Sequence, residues 1–251
     1  MCDMKNLQKI LSRVRLAVER YDMICDGDRI AVGVSGGKDS LTLLCALAEL
    51  RRFLPRSFAL VAVTADMGFE KSDRVRAEKS DHRQVRELCS RLHVPYIVRE
   101  TELARIIFDV RRESNPCSLC ARMRRGLLHD LALEQGCNKV ALGHHYDDAV
   151  ETFMLNLFFE GRVGCFSPVT YLSRKDLTVI RPLVLTEEKE IGRFVRSAGL
   201  PVEESPCPAD KDSQRAYIKE YLHAFDRGHR GLYRRILGAM ERGHIDGWTD
   251  V

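Results

Sequence analysis

The run Arg29 to Leu47, RIAVGVSGGKDSLTLLCAL, constrains the fold more than any other stretch of the chain. Ile30 to Val34 is short, apolar and β-branched, the composition of a strand buried on both faces. Leu41, Leu43, Leu44 and Leu47 then recur at spacings that suit the inner face of a helix. Between them lie Ser35, Gly36, Gly37, Lys38, Asp39 and Ser40. Two glycines let a backbone approach an anion closely, and amides at a helix start are unpaired and electropositive. With the Ser35 and Ser40 hydroxyls and the Lys38 ammonium as further donors, the turn reads as a phosphate cradle. It is not a Walker A loop, in which Ser or Thr follows the lysine; here Asp39 does.

The rest of the chain supplies strands and helices in alternation. Residues 4 to 21 have the period of an amphipathic helix, with Leu7, Ile10, Leu11, Val14, Ala17 and Val18 on one side. Strands are expected at Phe58 to Thr64 (ending at Asp66), Pro95 to Val98, Lys139 to Leu142 and Leu177 to Ile180. The charge-rich stretch 70 to 92 suits an exposed crossover helix, and Thr186 a cap for a helix that ends at Gly199. Strands separated by helices imply parallel βαβ units with helices on both faces. The expected fold is therefore α/β and Rossmann-like, with the phosphate loop after the first strand. Ligands of such sheets lie at the carboxyl ends of the strands, which directs attention to the loops after Val34, Thr64, Val98 and Leu142. The length suits an N-terminal helix (1–25), one large domain (26–205) and a helical tail (206–251).

Two further motifs carry chemistry. Leu142 to Thr152 reads LGHHYDDAVET, at the end of a strand. Asp148 and Glu151 have the spacing of a capping box, but a cap leaves the paired histidines unexplained. Carboxylates such as Asp147 and Asp148 beside a phosphate loop also suit Mg²⁺, which prefers oxygen ligands and substrate phosphates. The second motif is Cys117-Ser118-Leu119-Cys120 after Pro116, followed by Arg122, Arg124 and Arg125. A CxxC is a redox pair, half a zinc site or half an iron–sulfur site. No second Cys or His pair follows nearby, and His129 stands alone. Cys207, between Pro206 and Pro208, is the remaining conspicuous thiol. Cys117, Cys120 and Cys207 can hold three irons of a [4Fe-4S] cluster; zinc or a plain redox trio are the alternatives.

Composition narrows the setting. Nine cysteines with no recognisable secretory signal, because charges interrupt residues 1 to 25, point to a reducing cytoplasmic compartment. No apolar run has the length of a membrane span. The net charge of +4 permits an RNA partner without demanding one. Arg227, Arg230, Arg234, Arg235 and Arg242, with Tyr217, Tyr221 and Tyr233 interleaved, form a basic tail, which is either a solvated face or a surface for RNA backbone.

Together the motifs acquire a specific likeness. SGGKDS resembles the PP-loop of ATP pyrophosphatases, which cleave ATP between its α and β phosphates. SGGKDS, PCSLCARMRRG, LGHHYDDAVETFMLNLFFEG, IRPL and a proline-flanked cysteine, in that order, resemble the tRNA 2-thiocytidine synthetase family across about residues 5 to 225. The likeness implies the adenine nucleotide alpha hydrolase fold and an ATP-, Mg²⁺- and [4Fe-4S]-dependent tRNA sulfurtransferase. Its substrate would be a pyrimidine C2 oxygen, that of cytidine 32 in the anticodon loop. It implies a nucleotide site of Ser35, Gly36, Gly37, Lys38, Asp39, Ser40, Asp66, Gly143, His144, Asp147, Asp148 and Arg181. Cys117, Cys120 and Cys207 would be cluster ligands and, with Lys38 and Asp39, catalytic. Partners would be tRNA and a sulfur donor, a cysteine desulfurase or free sulfide, with a homodimer left open. Where the family has PCxxC, Cys207 is followed by Pro208, Ala209 and Asp210. A PP-loop ligase for another nucleoside or small molecule, and an iron–sulfur sensor or RNA-binding protein with a vestigial nucleotide site, stand as rival readings.

Overall fold

The computed structural model describes residues 4–75, 77–111, 116–203, 207 and 214–249, without the side chains of Met4, Lys5 and Cys117. The chain opens with α1 (Met4–Arg20), β1 (Asp28–Gly33), α2 (Lys38–Leu50) and β2 (Phe58–Asp66). A 3₁₀ turn at Phe69–Lys71, α3 (Arg83–Arg91) and β3 (Tyr96–Glu100) follow. Next come α4 (Leu103–Arg105), continued by a π-helical turn at Ile106–Arg111, α5 (Pro116–Glu134), β4 (Lys139–Ala141) and α6 (Tyr146–Phe159). A hairpin of β5 (Val169–Leu172) and β6 (Leu177–Ile180) leads to α7 (Glu188–Ala198), α8 (Gln214–Gly228) and α9 (Leu232–Arg242).

The sheet runs β3-β2-β1-β4-β6-β5 and is parallel except at β5–β6. β1 pairs with β2 from Asp28↔Phe58 to Gly33↔Val63 and with β4 from Ile30↔Lys139 to Val32↔Ala141. Side chains alternate between two apolar layers, as the strand period requires. Ile30, Val32, Leu60 and Ala62 join one core, while Ala31, Val61 and Val63 join the other with Ala132 and Val140. Burial on both sides explains why β1 and β2 read as nearly continuous apolar runs. Strand order reverses between β1 and β4, and the open crevice of an α/β sheet lies at that reversal. The phosphate loop follows β1, and the His-His motif follows β4.

The predicted face of α1 is buried throughout, and α2 is buried almost all round. The first core also takes in Ile218 and Leu222 of α8, Leu237 and Met240 of α9, and Trp248, so the N-terminal and C-terminal helices share one interior with the sheet. Among the described residues no helix is long and apolar enough to cross a membrane.

Three local expectations change. Of the stretch 70 to 92 only Arg83–Arg91 forms an α-helix. Ahead of it, the Asp109 carboxylate accepts from the Ser72 hydroxyl and the Asp73 and Arg74 amides, holding a turn in place of a helix. α7 is capped at Glu187, not Thr186; Thr186 is buried and its carbonyl accepts from the Tyr146 amide. β5 is an added antiparallel edge, so the sheet is not wholly parallel.

Candidate active site

The loop between β1 and α2 is held open by its own side chains. The Ser40 hydroxyl accepts from the Ser35 amide at 3.1 Å and donates to the Gly37 carbonyl at 2.9 Å. Ser35 Oγ lies 3.3 Å from Ser40 Oγ and 3.4 Å from the Gly37 amide. Gly36 has φ +79°, a conformation open to glycine at little cost. Gly37 caps α2 without a side-chain bond, so the first-turn amides are left for a ligand. Lys38 Nζ lies 2.8 and 2.9 Å from the two Asp39 carboxylate oxygens and 3.1 Å from Glu188 Oε1 of α7. Burial works against the ammonium's charge, but these carboxylates outweigh it and raise the Lys38 pKa.

The second wall is the turn from β4 into α6. Gly143 packs so closely on α2 that a Cβ there would stand 3.1 Å from Asp39 C and Ser40 N. His145 caps α6: its Nδ1 accepts from the Asp148 amide at 3.3 Å, and Asp148 Oδ2 accepts from the His145 amide at 3.0 Å. This capping box starts three residues earlier than the Asp148–Glu151 spacing suggests, because a histidine ring is the acceptor. With Nδ1 accepting, the neutral ring carries its proton on Nε2. Nε2 lies 3.4 Å from Asp148 Oδ2 and 3.7 Å from Asp39 Oδ1, while Nδ1 lies 3.7 Å from Asp147 Oδ2. Asp39, Asp147 and Asp148 thus gather round one buried imidazole. Among the described residues no three such side chains form a metal cage by themselves, so Mg²⁺ here would need the phosphates of its nucleotide.

His144 and Arg181 meet on Phe166. The His144 and Phe166 ring centroids are 5.0 Å apart, and the guanidinium carbon lies 5.1 Å above the same ring. Arg181 Nη1 donates to the Ser167 carbonyl at 2.5 Å and to Thr170 Oγ1 at 3.2 Å. Burial lowers the Arg181 pKa to about 10. Burial, reinforced by the Arg181 charge, also keeps His144 neutral below the usual histidine range. Buried His144 Nδ1 and Arg181 Nε have no hydrogen-bond partner among the described residues. Buried polar atoms ordinarily find one, so both suit a polar ligand.

Asp66, at the end of β2, accepts from the Gly68 amide at 2.9 Å and pairs with His82 Nε2 at 2.8 Å. On the loop itself, the Glu203 amide donates to the Gly36 carbonyl at 3.1 Å. Burial pushes the Glu203 carboxyl up, with His82 opposing and the Asp81 and Asp66 charges adding to the rise.

The cysteines fall into separate environments. Cys45, Cys89, Cys137 and Cys165 are buried. Burial drives the Cys89 thiol up to about 11 and the Cys165 thiol up to about 12. Cys120 and Cys207 are half-buried, the exposure of thiols that can take a ligand. Positions 117 and 120 fall near the start of α5 (Pro116–Glu134). α5 runs against the strands into β4, and Leu128 packs beside Gly33 and Leu142. At about 1.5 Å per residue, Cys120 stands roughly 12 Å beyond that level, past the carboxyl edge of the sheet. Cys207 follows the Glu203 segment laid along Gly36. Thiolates in this setting fit the soft donor set of an iron–sulfur cluster.

Sequence reasoning missed His82, His145, Glu188, Glu203 and Arg215. Arg215 donates to Thr152 Oγ1 at 3.0 Å and lies 3.5 Å from Asp148 Oδ1. For Glu188 a signal existed, acidic residues opening a helix after RPL, but it reads equally well as a partner for the helix dipole.

Residues 6–224 match the PP-loop domain family. A tRNA-cytidine(32) 2-sulfurtransferase of Geobacter metallireducens is 42% identical over 243 residues, covering 95% of this chain and 91% of that protein. The protein of the same name from Geobacter sulfurreducens is 42% identical over 237 residues, 93% of this chain and 89% of its own length. Among solved structures, the U34-tRNA thiolase NcsA from Methanococcus maripaludis, with its [4Fe-4S] cluster, superposes with a TM-score of 0.77. It is 25% identical, over 96% of this chain and 80% of that one. Matched over nearly its whole length at this identity, the chain belongs to the PP-loop domain family and, within it, to the family of the tRNA-cytidine(32) 2-sulfurtransferases.

Proposed function

We propose that this protein thiolates tRNA at cytidine 32, using ATP to activate the base and an iron–sulfur cluster to deliver sulfur. One observation carries the reading: Glu203, shortly before Cys207 in the chain, donates its amide hydrogen to Gly36 of the phosphate loop, which supports sulfur chemistry beside nucleotide chemistry. A pyrimidine C2 oxygen is a poor leaving group. Its attack on the α phosphorus of ATP places AMP on the oxygen and releases pyrophosphate. The loop amides and Lys38 take up the charge that develops on the departing pyrophosphate, which is preorganised electrostatic stabilisation. Asp147 and Asp148 would share Mg²⁺ with the nucleotide, and His144 and Arg181 offer polar contacts to its remainder. Cys117, Cys120 and Cys207 would hold the cluster, which when bound supplies a soft metal site for the incoming sulfur. Sulfur then replaces the activated oxygen at C2 and AMP leaves. The sulfur arrives as sulfide, either free or released from the persulfide of a cysteine desulfurase by a thiol reductant that takes up the oxidising equivalents, and Arg122, Arg124, Arg125 and the basic surface of α8 and α9 contact the tRNA backbone.

Mass spectrometry of tRNA nucleosides tests this. Deleting the gene should remove 2-thiocytidine, and supplying Asp39→Ala in its place should not restore it. Intact 2-thiocytidine after deletion, or ADP as the product of the purified enzyme, would overturn the reading.

A further inference from the structure

The ammonium of Lys38 is shared beyond its own loop. Glu188, in the first turn of α7, reaches it with Oε1 at 3.1 Å. The same carboxylate accepts from Lys219 Nζ of α8 at 2.8 and 2.7 Å, one bond to each oxygen. The Glu188 amide donates to Asp147 Oδ2 at 2.7 Å. One residue therefore joins the phosphate loop, the turn into α6 and the helix α8. Burial would push the Glu188 carboxyl up, but the Lys219 hydrogen bonds and the Lys38 charge overcome it and hold it down at about 2. The bridge is thus ionised throughout the ordinary pH range.

Asp39 alone is a poor guide for its neighbour. It follows Lys38 directly on the same helix start, so it ties the ammonium only to its own element. A second carboxylate, reaching in from another element, fixes the direction of the ammonium. Glu188 is fixed in turn at its far side by Lys219, so its hold on Lys38 depends on where α8 sits.

We propose that Glu188 is a positioning residue for Lys38, aiming the ammonium at the charge that develops on pyrophosphate, with Lys219 as the outer anchor of the bridge. The inference rests on the ATP-cleaving reading of the site. A carboxylate that orients Lys38 acts on the transition state more than on ground-state nucleotide binding, because Glu188 also competes with phosphate for the same ammonium. A tie between α7 and α8 with no such role would change the melting temperature alone.

The test measures single-turnover pyrophosphate formation by the cluster-loaded enzyme with tRNA. Calorimetric binding of a non-hydrolysable ATP analogue and thermal melting accompany it. Glu188→Gln should slow pyrophosphate formation roughly 10- to 100-fold, the penalty of a misplaced catalytic group. The analogue's Kd should move by less than about threefold. Glu188→Asp, which keeps the charge with a shorter reach, should recover part of the rate. Lys219→Met should slow the step in the same direction, and the double variant should be no slower than Glu188→Gln, since the two act through one bridge. Unchanged rates in both single variants, additive losses, or an equal loss of rate and analogue affinity would overturn the proposal. If Glu188→Gln does not fold, Lys219→Met decides the matter by itself. A wild-type enzyme that forms ADP would overturn the reading of the site and the proposal with it; wild-type pyrophosphate with unaffected variants overturns the proposal alone.

Discussion

Glu151, one turn after Asp148 on α6, is 2% exposed, and its Oε1 has no hydrogen-bond partner among the described residues. Burial raises its pKa from 4.5 to about 7, with Asp148 and Glu188 adding to the rise and Lys219 and Arg215 opposing it. The folded protein thus keeps a proton there that the unfolded chain has lost. The associated stability is complete below pH 4.5 and disappears as pH rises through about 7. The slope is at most about 1.4 kcal/mol per pH unit. His144 works in the opposite sense: kept neutral in the fold, it lowers stability as pH falls below its ordinary 6.5. The two partly cancel in the wild-type protein, so the informative measurement is a difference. Glu151→Gln should gain stability over wild type as pH is raised from weakly acidic to weakly alkaline, followed by denaturant melts across that range. Parallel curves would show that Glu151 is ionised in the fold.

Along α9, Leu237 and Met240 face the core while Arg234 and Arg235 are exposed. The two arginines are not equivalent. Arg235 donates to the His229 and Arg230 carbonyls at 2.8 and 2.9 Å and so closes the turn after α8. Arg234→Glu is therefore the cleaner probe of RNA binding. It should weaken tRNA binding and reduce the salt slope by about 0.7 to 0.9 for each phosphate that is no longer neutralised, leaving ATP-analogue binding unchanged. Unaltered salt dependence in a filter-binding assay would move the RNA surface to Arg122–Arg125 on α5. Elements like α1 and the β1–loop–α2 unit were legible in the sequence because their packing is periodic and local. The stretch before α3 was not, since its turn depends on Asp109, far away in the chain. β5 left a faint trace, the alternation of VTYL before a polar turn into β6. At the site, the loop announced itself by residue type. Glu188 and Glu203 did not, because their partners lie on other segments, and His145 did not, because a histidine ring takes the place of the usual capping side chain.

At the scale of the whole molecule, Trp248 joins the end of α1 to the segment before β5. Trp248 is fully buried, its ring centroid lies 6.1 Å from that of Tyr21, and its Nε1 donates to the Phe166 carbonyl at 2.9 Å. Trp248→Ala should cost about 3 to 5 kcal/mol of stability, read from chemical denaturation. It should also disturb Phe166, the ring on which His144 and Arg181 rest. Cys207→Ser tests the other long-range arrangement. A serine oxygen is a hard ligand poorly matched to iron–sulfur chemistry, so the variant should lose iron and thiolation together. ATP-analogue binding should survive, because Ser35 and Ser40 shape the loop by themselves. A full [4Fe-4S] spectrum after anaerobic reconstitution would remove Cys207 from the ligand set. The bond from the Glu203 amide to Gly36 also acts as a tether. Cys207 comes only a few residues after Glu203, and chain so short spans at most about 14 Å. Under the proposed chemistry, a base activated at one end of that tether meets sulfur at the other without leaving the protein. Handover then becomes an event within one complex, favoured by high effective concentration. Lengthening the chain between Glu203 and Cys207 would set that handover in competition with water.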